Sequence, residues 1–77
     1  FDLGFALRLC LQHQKLRCAV LVYRRMQLYD EALDLALRVD LDLAKLIADS
    51  PADVELRRRL WLAIVQHVVR YDENVAR

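Results

Sequence analysis

The sequence predicts an all-α chain of about five helices, folded as stacked helical hairpins and read as one fragment of an α-solenoid over residues 1–77. Three observations predict it. A single glycine (Gly4), a single proline (Pro51) and few β-branched runs leave little to interrupt helix. Apolar residues recur at three- and four-residue spacings along most of the chain. The breaks between these periodic segments span one to four residues, and links this short fold each helix back on its neighbour.

Asp2 is placed to cap a first helix in which Leu3, Ala6, Leu7 and Cys10 share one apolar face, ahead of the polar Gln12, His13 and Gln14. The second segment, 15–27, carries two overlapping stripes, Leu16, Ala19, Val20 and Tyr23 on one and Ala19, Val22, Tyr23 and Met26 on the other. So wide a stripe predicts neighbours on two sides, with Arg24 and Arg25 facing water. The third segment opens at Tyr29 with Asp30 and Glu31 in a first turn, where carboxylates complement the helix dipole. It continues through Ala32, Leu35, Ala36 and Val39, with Leu33 and Leu37 alongside. Ala32 and Ala36, four apart, let another helix approach closely. Asp40 and Asp42 are both candidate caps for a short fourth helix over 41–48. Ser50-Pro51-Ala52-Asp53 then reads as a fresh start, with Ser50 as cap, Pro51 in the first helical position and Asp53 as the reciprocal capping acid. The fifth helix sets Leu56, Leu60, Ile64, Val68 and Tyr71 on one face, widened by Trp61 and Val65, and is expected to end near Tyr71 or Asp72.

A free chain of this length buries only roughly 60–65% of its unfolded surface. Broad apolar faces on several short helices exceed what five helices can cover among themselves, which favours a solenoid slice over a discrete bundle. The start at Phe1 rather than Met, and the stop just after a helical pattern, lead us to expect a piece of a longer polypeptide. Hydrophobic residues make up 57% of the chain but nowhere form the ~18 consecutive apolar residues of a membrane span. No basic segment followed by an apolar leader opens the chain, so the expected compartment is the cytosol. Cys10 and Cys18 are expected to be reduced thiols in the core.

The net charge of +1 conceals a segregation. Residues 1–27 carry five basic side chains against Asp2 alone, giving +4. Residues 28–56 carry eight acidic side chains against Arg38 and Lys45, giving −6, and residues 57–77 return to +3. Such blocks either dock against neighbours by charge complementarity or lie on solvated faces. Arg57, Arg58 and Arg59, with Arg24, Arg25, Asp30 and Asp34, form the candidate interaction surface. Successive helical residues point about 100° apart, so the three arginines spread around the helix. Pairing with Asp53, Glu55 and other acids accounts for them plainly, and the alternative is a peripheral lipid- or nucleic-acid-binding helical module.

No catalytic, cofactor-binding or metal site is read in the sequence. Cys10, His13 and Cys18 lie close together, yet they lack a fourth ligand at regular spacing, and His67 is remote. With Gly4 as the sole glycine, the phosphate-loop and dinucleotide patterns are absent. Trp61, Tyr23, Tyr29 and Tyr71 fall on or beside apolar stripes and read as packing residues, and His67 as a hydrogen-bonded residue at the core edge. The string YDEALDLA suggests a tetratricopeptide-type peptide binder, but no second copy recurs at that family's period of about 34 residues.

The segments ALRLC, RCAVLVYRRMQLYDEALDLALRVDLDLAKLIAD and ELRRRLWLAIVQHVV carry a further signal. The most specific positions are Tyr23, Leu28, Tyr29, Glu31, Ala32, the run Asp34, Leu35, Ala36, Leu37, then Val39, Asp40, Asp42, Leu43, Ala44 and Lys45. Leu60, Trp61, Leu62, Ile64, His67, Val68 and Val69 add a second group. On these residues the chain resembles the C-terminal α-solenoid of the vacuolar protein sorting-associated protein 18 family, within its clathrin-heavy-chain-type repeats. The resemblance implies a non-enzymatic scaffold segment of the HOPS and CORVET tethering complexes, which bring endosomal and lysosomal or vacuolar membranes together before SNARE-driven fusion. It implies other HOPS and CORVET subunits and flanking solenoid repeats as partners, and no nucleic acid. Membrane association would be indirect, placing the protein in the cytoplasm, peripheral on late endosome, lysosome or vacuole. The family's β-propeller and zinc-binding RING lie outside the matched residues, so the resemblance assigns no zinc ligand here.

Overall fold

The computed structural model describes the backbone of residues 2–76 and the side chains of residues 2–70, and these residues form five helices and no strand. In chain order they are α1 (Leu3–Gln12), α2 (Leu16–Arg25), α3 (Tyr29–Val39), α4 (Leu41–Asp49) and α5 (Val54–Ala76). Asp2 caps α1 as its position suggests, accepting from the Phe5 amide at 3.2 Å. Of the two candidates ahead of α4, Asp40 is the cap, accepting from the Asp42 amide at 3.0 Å.

The first two reversals share one construction. After α1 the Lys15 amide donates to the Cys10 carbonyl at 2.7 Å and the Gln14 amide to that of Leu11 at 3.2 Å. After α2 the Leu28 amide donates to the Tyr23 carbonyl and the Gln27 amide to that of Arg24, both at 2.9 Å. This double bond pattern is the Schellman closure, which needs a left-handed residue just past the cap. Gln14 and Gln27 supply it at φ 57° and 62°, where glycine is the usual occupant. Gln14→Gly and Gln27→Gly are each expected to stabilise the chain by about 0.5–1 kcal/mol, the relief of left-handed strain outweighing glycine's extra unfolded freedom. Urea unfolding would check this; a loss of stability at both positions would contradict it.

Two expectations at helix ends need correcting. Ser50 closes α4 instead of opening α5: its hydroxyl donates to the Leu46 carbonyl at 2.8 Å and its amide to that of Ile47 at 3.1 Å. Pro51 is buried in the connection, and Asp53 caps α5 by accepting from the Glu55 amide at 3.0 Å. Ser50 keeps helical dihedrals, φ −72° and ψ −41°, although it precedes Pro51, whereas a helix N-cap needs an extended backbone, and Asp53 is the next side chain able to cap. At its far end α5 runs on to Ala76 instead of stopping near Tyr71, because residues 71–76 contain neither glycine nor proline. The side chain of Tyr71 lies outside the described residues.

Contacts along the helices give their directions. The start of α1 shares a groove with the end of α2, and the start of α2 meets the end of α3 through Arg17 and Asp40, so consecutive helices run antiparallel. α5 runs the same way as α3, with Asp30 beside Arg59 at one end and Leu37 near His67 and Val68 at the other. The stack is a slab of 45 × 30 × 14 Å. Its radius of gyration, 13.3 Å, exceeds the roughly 11–12 Å of a compact globule of this length, as a slice of a solenoid should.

The core is correspondingly thin. Ala19 and Val20 of α2, Ala32, Leu33 and Ala36 of α3, Ala44, Ile47 and Ala48 of α4, and Leu60 and Ile64 of α5 are buried. Half of these ten are alanines, which brings helix axes close without large side chains between them. Four expected core positions are not in it. Leu16, Val65 and Cys18 are exposed, and Cys10 is half-buried. Their stripes were wide enough for two neighbours, but α1 places no residue in the core and no helix in the described chain covers the outer side of α5.

Candidate interaction surface

The three consecutive arginines of α5 do three different things. Arg57 folds back over the connection from α4, its Nη1 donating to the carbonyls of Pro51 at 2.7 Å and Ala52 at 3.0 Å. Those carbonyls would otherwise lack partners beside a proline turn. Arg58 pairs with Glu55 one turn earlier at 3.4 Å. Arg59 crosses to α3, where its Nη2 reaches both oxygens of Asp30 at 3.0 and 3.2 Å. Asp34, one turn further along α3, pairs within its own helix with Arg38 at 3.3 Å.

Arg24 and Arg25 close the last turn of α2, where cations complement the negative end of the helix. Arg25 is exposed and Arg24 half-buried, so the expectation that both face water holds fully only for Arg25. An apolar groove floored by Leu3, Ala6, Leu21 and Val22 lies on one side of them. A more polar hollow shared with Tyr29 and Ser50 lies on the other. Among the described residues neither arginine has a carboxylate partner. The structure thus brings Arg24, Arg25, Asp30 and Arg59 to one end of the slab, and sets Asp34 apart.

Sequence reading missed two cross-helix contacts. Arg17, at the start of α2, pairs with Asp40 at 2.9 Å. Trp61 of α5 donates its indole N–H to Asp49 at the end of α4, at 2.9 Å. The charge blocks were the available signal. Arg17 and Arg59 come from the two basic blocks, and their partners Asp40 and Asp30 from the acidic one, so part of the segregation joins helices within the chain. Trp61→Phe removes the indole donor while keeping most of the packing, and is expected to cost about 1 kcal/mol in urea unfolding. An unchanged midpoint would show that Asp49 contributes nothing.

The Arg17 guanidinium, with the Asp42 amide, holds the Asp40 carboxyl below its ordinary value. A lowered folded-state pKa contributes stability above the unfolded value, and that stability is lost as pH falls through the folded one. The melting temperature should therefore fall on acidification below about pH 4, and Asp40→Asn, which keeps the capping oxygen without the charge, should flatten that fall. An identical acid profile in the variant would contradict the assignment.

Each outer face of the stack carries an apolar patch among polar residues. On α1, Phe5 and Leu9 point away from the side that packs on α2, and Phe5 is 54% exposed. On α5, Leu62, Val65 and Val69 lie opposite the buried Leu60 and Ile64, each about half exposed. His67 is exposed, where the sequence placed it at the core edge, and sits beside Leu37, Leu41 and Val68. Among the described residues no group of three His, Cys, Asp or Glu side chains could hold a metal ion. No described helix is long and apolar enough to cross a membrane.

Comparison with known proteins adds the family context. A family model described as VPS18, alpha-solenoid domain, second half, matches residues 1–69. The chain is 57% identical over 76 residues to the vacuolar protein sorting-associated protein 18 homolog of Danio rerio, covering 97% of this chain. It is 41% identical over 78 residues to vacuolar sorting protein 18 of Arabidopsis thaliana, across all of this chain. With vacuolar membrane protein pep3 of Schizosaccharomyces pombe it shares 39% identity over 70 residues, or 88% of this chain. In each case the chain spans about 8% of the relative's length. No solved structure matches it.

Proposed function

The chain belongs to the family of the VPS18 alpha-solenoid domain, second half, and from that premise we propose that it is a scaffold segment of an endosomal, lysosomal or vacuolar membrane-tethering complex. The observation that carries this is the pair of open apolar faces, Phe5 and Leu9 on α1 and Leu62, Val65 and Val69 on α5, at the two ends of a thin slab. Each face suits another helical hairpin, and a stack continued in both directions has the form of a connector. The names of the relatives support work at the vacuole or in sorting to it. The finer assignment is to HOPS and CORVET, with their other subunits and flanking repeats as partners and with membrane attachment through the complex. Its charged, protein-facing surface is the group Arg24, Arg25, Asp30 and Arg59, while Asp34 and Arg58 are paired within their own helices and Arg57 is turned onto the connection from α4.

Crosslinking mass spectrometry on the assembled tether tests this through Lys15 and Lys45. Crosslinks to neighbouring repeats and to a second subunit are expected. Crosslinks confined to residues 1–77 would sink the proposal.

The lipid- or nucleic-acid-binding reading is less well supported, because Arg57 is occupied by backbone carbonyls and Arg59 by Asp30. Liposome and oligonucleotide binding assays at low salt, where counterion release favours association most, are expected to give no signal. Tight binding that collapses on adding salt would favour that reading instead.

A further inference from the structure

We propose that the groove between α1 and the end of α2 docks a short acidic helical segment of a partner protein, one that carries aliphatic anchors. The groove encloses about 450 Å³, within the roughly 300–1,000 Å³ range of sites that bury a ligand or several side chains. Among the described residues its floor, formed by Leu3, Ala6, Leu21 and Val22, offers no hydrogen-bonding side chain, so what enters must be apolar, and aliphatic anchors match its aliphatic lining. Its rim is Arg24 and Arg25, and charge at the rim selects the partner.

These two arginines stand apart from most of the others. Arg17, Arg38, Arg58 and Arg59 each pair with a carboxylate and Arg57 binds two carbonyls, whereas Arg24 and Arg25 have no carboxylate among the described residues. The nearby Asp30 is already taken by Arg59. Arg24 and Arg25 therefore set two positive charges without a carboxylate partner among the described residues at the rim of the groove, where they attract acid. An amphipathic helix laying aliphatic residues four apart into the floor, with glutamates against the rim, satisfies both chemistries at once. This rests on the scaffold reading only in taking the partner to be a protein, and it uses neither end face.

The test is fluorescence anisotropy on the full chain. One labelled probe is an amphipathic helical peptide with leucines four apart and a glutamate flank, and the other has lysines in place of the glutamates. The glutamate peptide is expected to bind and the lysine peptide to be ignored. R24E/R25E should weaken the first by on the order of ten-fold or more and gain the second, a reversal that misfolding cannot produce. Leu21→Lys should abolish binding of the glutamate peptide. Equal affinity for the two peptides, no binding of either, or unchanged affinity in R24E/R25E overturns the proposal, as does capture of phosphatidylserine vesicles through Arg24 and Arg25 in place of the peptide. Failure here leaves the scaffold reading intact, since that stands or falls on Val65 and the end faces.

Discussion

Ile47→Ala is expected to destabilise the chain by about 2–5 kcal/mol. Ile47 is fully buried and is among the largest side chains of the core, which it shares with Val20, Ala32, Ala36, Leu60 and Ile64. Four of the five other buried residues on α3 and α4 are alanines, which have no side-chain length with which to fill the space left behind. At roughly 0.05–0.15 kcal/mol per residue, a chain of this size has about 4–12 kcal/mol in total, so the loss is a large share. Denaturant unfolding would measure it. A cost below about 1 kcal/mol would mean that the alanine seam collapses around the gap, contrary to the close packing described here.

The second large effect depends on context. Val65→Asp places a carboxylate on the open face of α5 beside Leu62 and Val69. In the separate chain that face meets water, and the substitution should change stability by no more than about 0.5 kcal/mol. On the proposed stacking, joining the chain to the flanking sequence that the Danio rerio relative carries should bury the same carboxylate against the next hairpin without a partner, at an expected cost of about 3 kcal/mol or more. Ile47→Ala should cost the same in both settings. A Val65→Asp effect that is small in both would place the open face in solvent and remove the main support for stacking.

How much of this was legible in the sequence follows from which interactions are local. Asp2 and Asp40 announced their helices because a cap and its amide are two or three residues apart. Ala32 and Ala36 pointed to a close approach because their spacing is a property of one helix. The Schellman turns were harder to place, since their left-handed positions hold Gln14 and Gln27 and lack the glycine that marks such turns. Ser50-Pro51-Ala52-Asp53 was legible as a break, but Ser50 and Asp53 are both able to cap, and local spacing alone assigned both of them to α5. The structure gives Ser50 to α4 and Asp53 to α5.

The surface was less readable because its pairs span 23 residues for Arg17 and Asp40 and 29 for Arg59 and Asp30. Composition showed the blocks of charge, and only the stacking order shows that they face one another. The exposure of Val65, Leu16 and Cys18 has a similar origin. A wide apolar stripe records how many neighbours a helix is built for, and the described chain supplies fewer.

The most direct test of the scaffold reading is the thermal unfolding of this chain alone against the same chain flanked by the adjoining residues of the Danio rerio relative. With Phe5 and Leu9 on one side and Leu62, Val65 and Val69 on the other covered by further hairpins, the melting temperature should rise by roughly 10 °C or more, since 1 kcal/mol moves it about 4–8 °C at this size. An unchanged melting temperature, with amide exchange in α1 and α5 as fast as in the separate chain, would contradict a stack built to continue at both ends.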